Sequence, residues 1–232
     1  MSVPLTQLAQ WLEQRLGREK SLEVLYRPGE RPVEKLALAL EPQDVALETD
    51  ADALFIHRPF ELGARFPGLG ILASHDPFDD QLTTNFNPAL ARALGWKTPR
   101  RVRLEERTVG MVADFEAPLS WDDLLERLYQ EFGGWDEVFK PRQAVLERLA
   151  LMSTFRPPAV ELAARAGAQV YLTGQMRPLG RALAQQLRLG VVALEHRRSE
   201  LWGLSQLARE LRGAFPALEF TVEEGTLEGQ TH

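Results

Sequence analysis

Residues 53–79 read ALFIHRPFELGARFPGLGILASHDPFD. Two short apolar runs, Ala53–Ile56 and Ile71–Ser74, each lead directly into a histidine, His57 or His75. Short apolar runs of this kind are typical of buried strands. The ends of strands that point the same way lie along one edge of an α/β sheet, where ligands bind. The stretch therefore predicts strands of an α/β sheet whose ends place histidines along an edge.

The same pattern returns far downstream, where the run Val191–Leu194 is soon followed by His196. Asp79 follows His75, and Glu200 follows His196, at the same spacing of four residues. Neutral imidazole nitrogens and carboxylate oxygens are ligands that divalent metals accept. In the alternative interpretation, each histidine is only a strand-end residue that is hydrogen-bonded to the backbone. All three histidines follow apolar runs, and two of them have an acid four residues later. This repetition favours a metal site over that alternative.

Predicted strands and helices alternate along the rest of the chain, which favours an α/β layered fold. Residues 51–57 resemble residues 168–174, which suggests two pseudo-equivalent α/β lobes, about 1–116 and 117–232, that share one metal-binding cleft. The predicted helices are Leu5–Leu16, Val45–Thr49, Pro88–Leu94, a helix from the N-cap Ser120 to about Phe132, Pro158–Ala166, Leu179–Leu187 and Leu204–Phe215. The further predicted strands are Leu22–Tyr26, Lys35–Leu40, Arg101–Arg107, Thr108–Phe115, Val145–Met152, Val170–Leu172 and Leu218–Val222.

Composition and charge exclude several classes of protein. The chain has no cysteine, which excludes disulfides and thiolate metal ligands. Neither a signal peptide nor an apolar run long enough to span a membrane is recognisable, so we expect a cytoplasmic protein. The net charge of −6 argues against a nucleic-acid partner, and a binder that uses Arg100, Arg101 and Arg103 is the least favoured hypothesis. Nucleotide-binding glycine loops and serine-hydrolase motifs are also absent from the sequence.

The histidine motifs resemble those of the Nif-three-like dinuclear-metal-centre hexameric proteins, which are also described as homologues of GTP cyclohydrolase 1 type 2. The family has His-His-Pro, His-x-Asn-x-Asp and, near the C-terminus, Gly-His-x-x-x-Glu, each after a strand. Here these motifs read His57-Arg58-Pro59, His75-Asp76-Pro77-Phe78-Asp79 and Glu195-His196-Arg197-Arg198-Ser199-Glu200. The resemblance implies two α/β lobes, a homohexameric ring and a metal centre. The metal ligands that it implies are His57, His75, Asp79, His196 and Glu200.

The chain departs from the family pattern at several positions. Arg58 replaces the second histidine, and a guanidinium does not bind metal, so one ion or two could be held. Arg58 could instead bind an anionic substrate group together with Arg198, or it could form an ion pair with a ligand carboxylate of a degenerate site. Gln175 stands where the family has an acid, and residues 152–156 replace its glycine-rich loop.

Two functions from different classes follow. The first is a metal-dependent hydrolase that acts on a small anionic or nucleotide-like substrate with Zn, Mn, Fe or Ni. The second is a non-catalytic assembly or regulatory protein with a degenerate metal site. Asp79 or Glu200 could double as a general base, but nothing in the sequence assigns that role, so the catalytic residues are unknown at this stage.

Overall fold

A computed structural model describes residues 2–225, and it confirms the α/β fold class. The helices are α1 (Leu5–Leu16), α2 (Asp76–Leu82), α3 (Pro88–Ala93), α4 (Trp121–Phe132), α5 (Pro157–Arg165), α6 (Pro178–Gln186) and α7 (His196–Ala214). The strands are β1 (Leu25–Arg27), β2 (Lys35–Ala39), β3 (Ala53–Ile56), β4 (Gly70–Ala73), β5 (Trp96–Leu104), β6 (Arg107–Leu119), β7 (Glu137–Phe139), β8 (Leu146–Met152), β9 (Val170–Thr173), β10 (Gly190–Ala193) and β11 (Glu219–Glu223). None of the described helices is both long enough and apolar enough to cross a membrane.

The chain divides into two compact units. The first contains the residues up to Phe78 together with those from Gly203 onward, and the second is Asp79–Trp202. This division differs from the boundary expected near residue 116. The difference arises because β6 pairs with β8, which places residues 96–119 in the second sheet, and because β11 pairs with β2, which returns the C-terminal segment to the first sheet.

The first unit contains a five-stranded sheet in the order β1-β4-β3-β2-β11. Strands β11, β2, β3 and β4 are parallel, and β1 is antiparallel to β4. Every residue of β3 and β4 is buried, as expected for central parallel strands that are covered on both faces. Because β3 and β4 are parallel neighbours, their carboxyl ends bring His57 and His75 to the same edge of the sheet.

The second unit contains a six-stranded sheet in the order β5-β6-β8-β9-β10-β7. Its centre, β8-β9-β10, is parallel, and the long hairpin β5-β6 extends it on one side. Side chains alternate between the two faces of each strand: Leu149 and Leu151 join one apolar cluster, whereas Ala150 and Met152 join the other. The parallel centre of the sheet is therefore buried on both faces, and the ends of its strands are where polar side chains can gather.

Most predicted elements are found within one or two residues of their expected ends. The strand expected at Leu22–Tyr26 begins later, at Leu25, and the strands expected at Arg101–Arg107 and Thr108–Phe115 are found as Trp96–Leu104 and Arg107–Leu119. Two helices also differ. The prediction of a helix at Val45–Thr49 was wrong. A single 3-10 turn, Pro42–Asp44, occurs instead, and Val45 after it has extended backbone and is buried. Glu41 and Asp44 form a capping box at the start of this turn, one residue before the chain becomes extended at Val45. The last helix begins at His196 rather than at Leu204, so both proposed ligands of that segment are helical.

Candidate metal centre and adjoining cavity

Three of the five proposed metal ligands lie together in the second unit. Helix α7 begins at His196, so Glu200 follows one helical turn later on the same face. The Nε2 atom of His196 lies 3.0 Å from the Oε1 atom of Glu200. Asp79, in helix α2, completes the group, and one ligand atom from each of the three residues lies within 4.8 Å of the others.

The donor set of this group fits a divalent cation. It combines one imidazole nitrogen with two carboxylates, which suits zinc and the other first-row divalent metals. The side chain of Glu200 is fully buried, whereas the side chain of His196 is 60% exposed. A buried carboxylate is costly unless positive charge compensates it, and a bound divalent ion supplies such charge. Metal could reach the group from the exposed side of His196.

A left-handed backbone residue sets the position of His196. Glu195 lies between β10 and α7 with φ of 75°, a region that glycine occupies most easily. This turn lets the chain pass from the strand directly into the helix. The resembling family has glycine at the equivalent position of its motif, whereas here glutamate adopts a conformation that favours glycine.

The other two proposed ligands lie together in the first unit. His57 follows β3 and is fully buried, and its ring centroid lies 4.9 Å from that of His75. The Nδ1 atom of His57 lies 2.9 Å from the backbone oxygen of Ser74. Because a carbonyl only accepts hydrogen bonds, Nδ1 carries the proton and Nε2 carries the lone pair that a metal would use. The backbone hydrogen bond considered as the alternative role is therefore present, and it is also compatible with the proposed role of His57 as a ligand.

The position of His75 is set by its neighbours at the start of helix α2. The carboxylate of Glu19 accepts hydrogen bonds from the backbone N–H groups of His75, at 3.3 Å, and of Asp76, at 2.9 Å. The ring of Phe60 packs edge-on against the His75 ring, with the centroids 5.6 Å apart. The Nδ1 atom of His75 also lies 3.3 Å from an Asp76 carboxylate oxygen. These contacts hold the backbone and the ring of His75 beside His57.

The two arginines proposed for substrate binding have partners within their own units. The guanidinium of Arg58 contacts the carboxylate of Glu41, with Nε at 3.0 Å and Nη2 at 2.9 Å from Oε1. Arg198 donates a 3.3 Å hydrogen bond to the backbone oxygen of Phe132, and its Nε atom lies 3.9 Å from a Glu195 carboxylate oxygen. These contacts restrain both guanidinium groups; their proposed role in substrate binding stays a prediction.

A cavity of about 880 Å³ lies in the second unit and reaches His196. It is built around the carboxyl ends of the parallel strands β8 and β9. Arg156 comes four residues after the last residue of β8, and Arg177 comes four residues after the last residue of β9. Each arginine is the N-cap of the next helix, α5 or α6, and each helix begins with proline. Residues that line the cavity include Asp80, Asn85, Arg107, Thr154, Arg156, Arg177 and His196.

The loop that carries Arg156 is held firmly at the cavity wall. The hydroxyl of Tyr171, a buried residue of β9, donates a hydrogen bond to the backbone oxygen of Thr154. Burial raises the pKa of the Tyr171 hydroxyl well above its usual range, so this hydroxyl stays protonated and remains a donor. The backbone N–H of Ser153 also donates to the Val109 oxygen at 2.9 Å. The arginine is therefore presented from an ordered loop.

Reading the motifs one at a time did not predict that Arg156 and Arg177 occupy equivalent positions, each at the start of a helix beside the cavity. The signal was present as the dipeptides Arg156-Pro157 and Arg177-Pro178, which lie four and five residues beyond the predicted strands Val145–Met152 and Val170–Leu172. Proline is favoured in the first turn of a helix, so each dipeptide marks a helix start. Only the parallel pairing of β8 with β9 shows that these two helix starts share one cavity.

The chain matches a known protein family over more than half of its length. A profile of the family described as Duf34/NIF3 (NGG1p interacting factor 3) matches residues 67–231, more than half of the chain. A search among curated proteins finds no match in sequence.

Several solved structures share the fold at low sequence identity. Reduced HcgD from Methanocaldococcus jannaschii is 19% identical, with a TM-score of 0.73 over 96% of this chain and 98% of that one. TTHA1606 from Thermus thermophilus is 20% identical, with a TM-score of 0.70 over 99% and 100% of the two chains. A Bacillus cereus protein related to NIF3 is 12% identical, with a TM-score of 0.70 over 100% and 99%. At such identities the likeness concerns the fold alone.

Proposed function

Because this chain belongs to the DUF34/NIF3 family, we propose that it is a metal-dependent hydrolase that acts on a small anionic or nucleotide-like substrate. The observation that carries the proposal is the cluster of Asp79, His196 and Glu200, whose ligand atoms lie within 4.8 Å of one another. The open cavity that reaches His196 gives a substrate a place beside this cluster.

The proposed ligands are those that the resemblance implies: His57, His75, Asp79, His196 and Glu200. They would hold one or two divalent ions, with Zn, Mn, Fe and Ni all compatible with nitrogen and oxygen donors. Such an ion, when bound, would lower the pKa of a bound water or polarise a substrate oxygen. The protein contributes fixed ligand orientation, through the Ser74 contact of His57 and through the helical spacing of His196 and Glu200.

A non-catalytic assembly or regulatory role is the second candidate, and one observation favours it. The position that holds the second histidine of the family motif is Arg58 here, and its guanidinium is engaged by Glu41. A permanent cation at that position removes a ligand and can leave a site that binds one metal without turnover. Metal binding with no hydrolysis of any tested substrate would support this candidate.

Metal content per chain tests the metal site directly. The protein would be purified without chelator, loaded with Zn²⁺ or Mn²⁺, desalted and assayed by elemental analysis. We expect about one to two ions per chain for the wild type, and at least about tenfold weaker metal binding for Glu200→Gln and His196→Ala, since each removes a donor atom.

The matched control is Glu161→Gln, which changes an exposed carboxylate on helix α5 that pairs with Arg165. It should retain the metal affinity of the wild type. Far-UV circular dichroism of each variant separates lost binding from lost folding. If the folded wild type binds none of the added ions, the hydrolase proposal fails.

We also propose that the chain assembles as a homohexamer in the cytoplasm, as the resemblance implies. A hexamer of 26.2 kDa chains would have a mass of about 157 kDa. Sedimentation equilibrium measures this mass independently of activity, and a monomeric mass at micromolar concentration would contradict the assembly.

A further inference from the structure

We propose that the cavity at the ends of β8 and β9 binds a phosphate monoester that also carries a hydroxyl or amino group. That this ligand is then hydrolysed rests on the proposed function, whereas its binding to the cavity does not. The cavity lies within the second unit, and its volume of about 880 Å³ is sufficient for a sugar phosphate or a nucleotide.

The first argument is the charge of the cavity wall. Arg107, Arg156 and Arg177 line the cavity, and within residues 2–225 none of these three side chains forms an ion pair. Two carboxylates, Asp80 and Glu105, also line it, which leaves the arginines in excess. Guanidinium groups bind phosphate oxygens through strong charge-assisted hydrogen bonds. In a chain with a net charge of −6, this local excess of cations favours an anionic ligand.

The second argument is the way in which helices α5 and α6 begin. In the described structure, the N-cap side chains Arg156 and Arg177 form no capping hydrogen bond. A helix N-terminus is usually capped by an oxygen-bearing side chain, because its first N–H groups and its dipole favour negative charge. Arginine at both N-caps reverses that preference. An anion bound between the arginines would satisfy the guanidinium groups and would be favoured by the positive end of both helix dipoles. Helix α5 would contribute no N–H group at its first two positions, because these are Pro157 and Pro158, and the next N–H, of Ala159, donates to the Arg156 oxygen.

The third argument is the buried side chain of Asn85, which also lines the cavity and is 2% exposed. Its Nδ2 atom donates to the Asp80 carboxylate at 2.8 Å and to the Thr108 oxygen at 3.2 Å. Both partners are acceptors, so the amide nitrogen must face them and the orientation is determined. Among the described residues, Asn85 Oδ1 is buried without a hydrogen-bond partner. A hydroxyl or amino group of the ligand would supply the donor that this oxygen lacks.

Calorimetric titration tests the site with defined probes. Ribose 5-phosphate, inorganic phosphate and acetate would each be titrated at low, constant salt into the full-length protein, both chelator-treated and loaded with metal. We expect ribose 5-phosphate to bind more tightly than inorganic phosphate, and acetate to bind more weakly than either. Arg156→Gln and Arg177→Gln should each weaken the binding of ribose 5-phosphate by about tenfold or more.

The matched control is Arg165→Gln, which removes an exposed arginine from the far end of the same helix that Arg156 begins. Equal affinity of the wild type, Arg156→Gln and Arg177→Gln for ribose 5-phosphate would overturn the proposal, as would acetate binding as tightly as phosphate. Arginine-dependent phosphate binding by wild-type protein that takes up none of the added metal ions would support this site and reject the hydrolase. Metal binding without phosphate binding would reject this site and leave the hydrolase standing.

Discussion

At the scale of single residues, the candidate site depends on how a few backbone positions orient its ligands. The carbonyl of Ser74 selects the tautomer of His57, and Glu195 turns the chain so that His196 opens helix α7. The turn at Glu195 is strained, because the left-handed region costs a residue with a Cβ atom about 1–2 kcal/mol. The position of His196, a proposed ligand, is thus maintained at the expense of some stability.

Replacing Glu195 by glycine should therefore stabilise the protein. Glycine adopts φ of 75° without steric cost, although it loses more backbone entropy on folding. We expect the free energy of unfolding to rise by up to about 1 kcal/mol, measured by urea denaturation, with unchanged metal content. Glu195→Ala is the control, since it removes the same carboxylate and keeps the strain. Equal stability of the two variants would show that the backbone conformation is not the cause.

At the scale of elements, the cavity depends on how closely helix α6 approaches the loop before α5. Gly180, in the first turn of α6, is buried against this loop. A Cβ atom added to Gly180 would lie 2.1 Å from the backbone oxygen of Phe155 and 2.9 Å from its carbonyl carbon. Neither of these backbone atoms can move without moving Arg156, the next residue. The absence of a side chain at this position therefore sets the spacing between two walls of the cavity.

Gly180→Ala should consequently change the cavity as well as the stability. The overpacked contact should cost about 1–3 kcal/mol of unfolding free energy and weaken phosphate binding, since Arg156 is displaced. Chemical denaturation and the calorimetric titration measure the two effects. Gly213→Ala is a suitable control, because an added Cβ atom there meets no atom within 4 Å. Wild-type stability in Gly180→Ala would contradict the close approach.

At the scale of the whole molecule, the first unit is built from both ends of the chain. Strand β11 pairs with β2 in a parallel register that sets Phe220 beside Leu36. Arg15 of α1 forms an ion pair at 2.5 Å with Glu210 of α7. The second unit, in contrast, is one continuous segment. Loss of the C-terminal segment should therefore affect the first unit most.

Deletion of residues 216–232 tests this arrangement. It removes β11 and exposes the edge of β2, so we expect the thermal midpoint to fall by at least about 5 °C and aggregation to increase. Deletion of residues 226–232 leaves β11 in place and serves as the control. Thermal unfolding followed by circular dichroism gives the midpoints. Equal midpoints for the two deletions would show that β11 adds little to the first unit.

Local patterns in the amino-acid sequence were sufficient to predict most of the elements and to choose the candidate ligands. Apolar runs and helix caps are short-range signals, so the strands before the histidines and the capped start of α4 were predicted correctly. The ligand set came from histidine and acid spacing read together with the family resemblance. That the two groups of ligands serve one cleft stays a prediction.

The meeting of distant segments, in contrast, is visible only in the folded chain. No local pattern shows that β11 joins β2, that Glu41 engages Arg58, or that the Arg-Pro dipeptides at 156–157 and 177–178 begin helices at one cavity. These facts depend on strand order and on which strands are parallel. Many orders bury the same apolar residues equally well, so local periodicity does not distinguish them. For that reason the candidate metal ligands were found from the sequence and the proposed phosphate site was not.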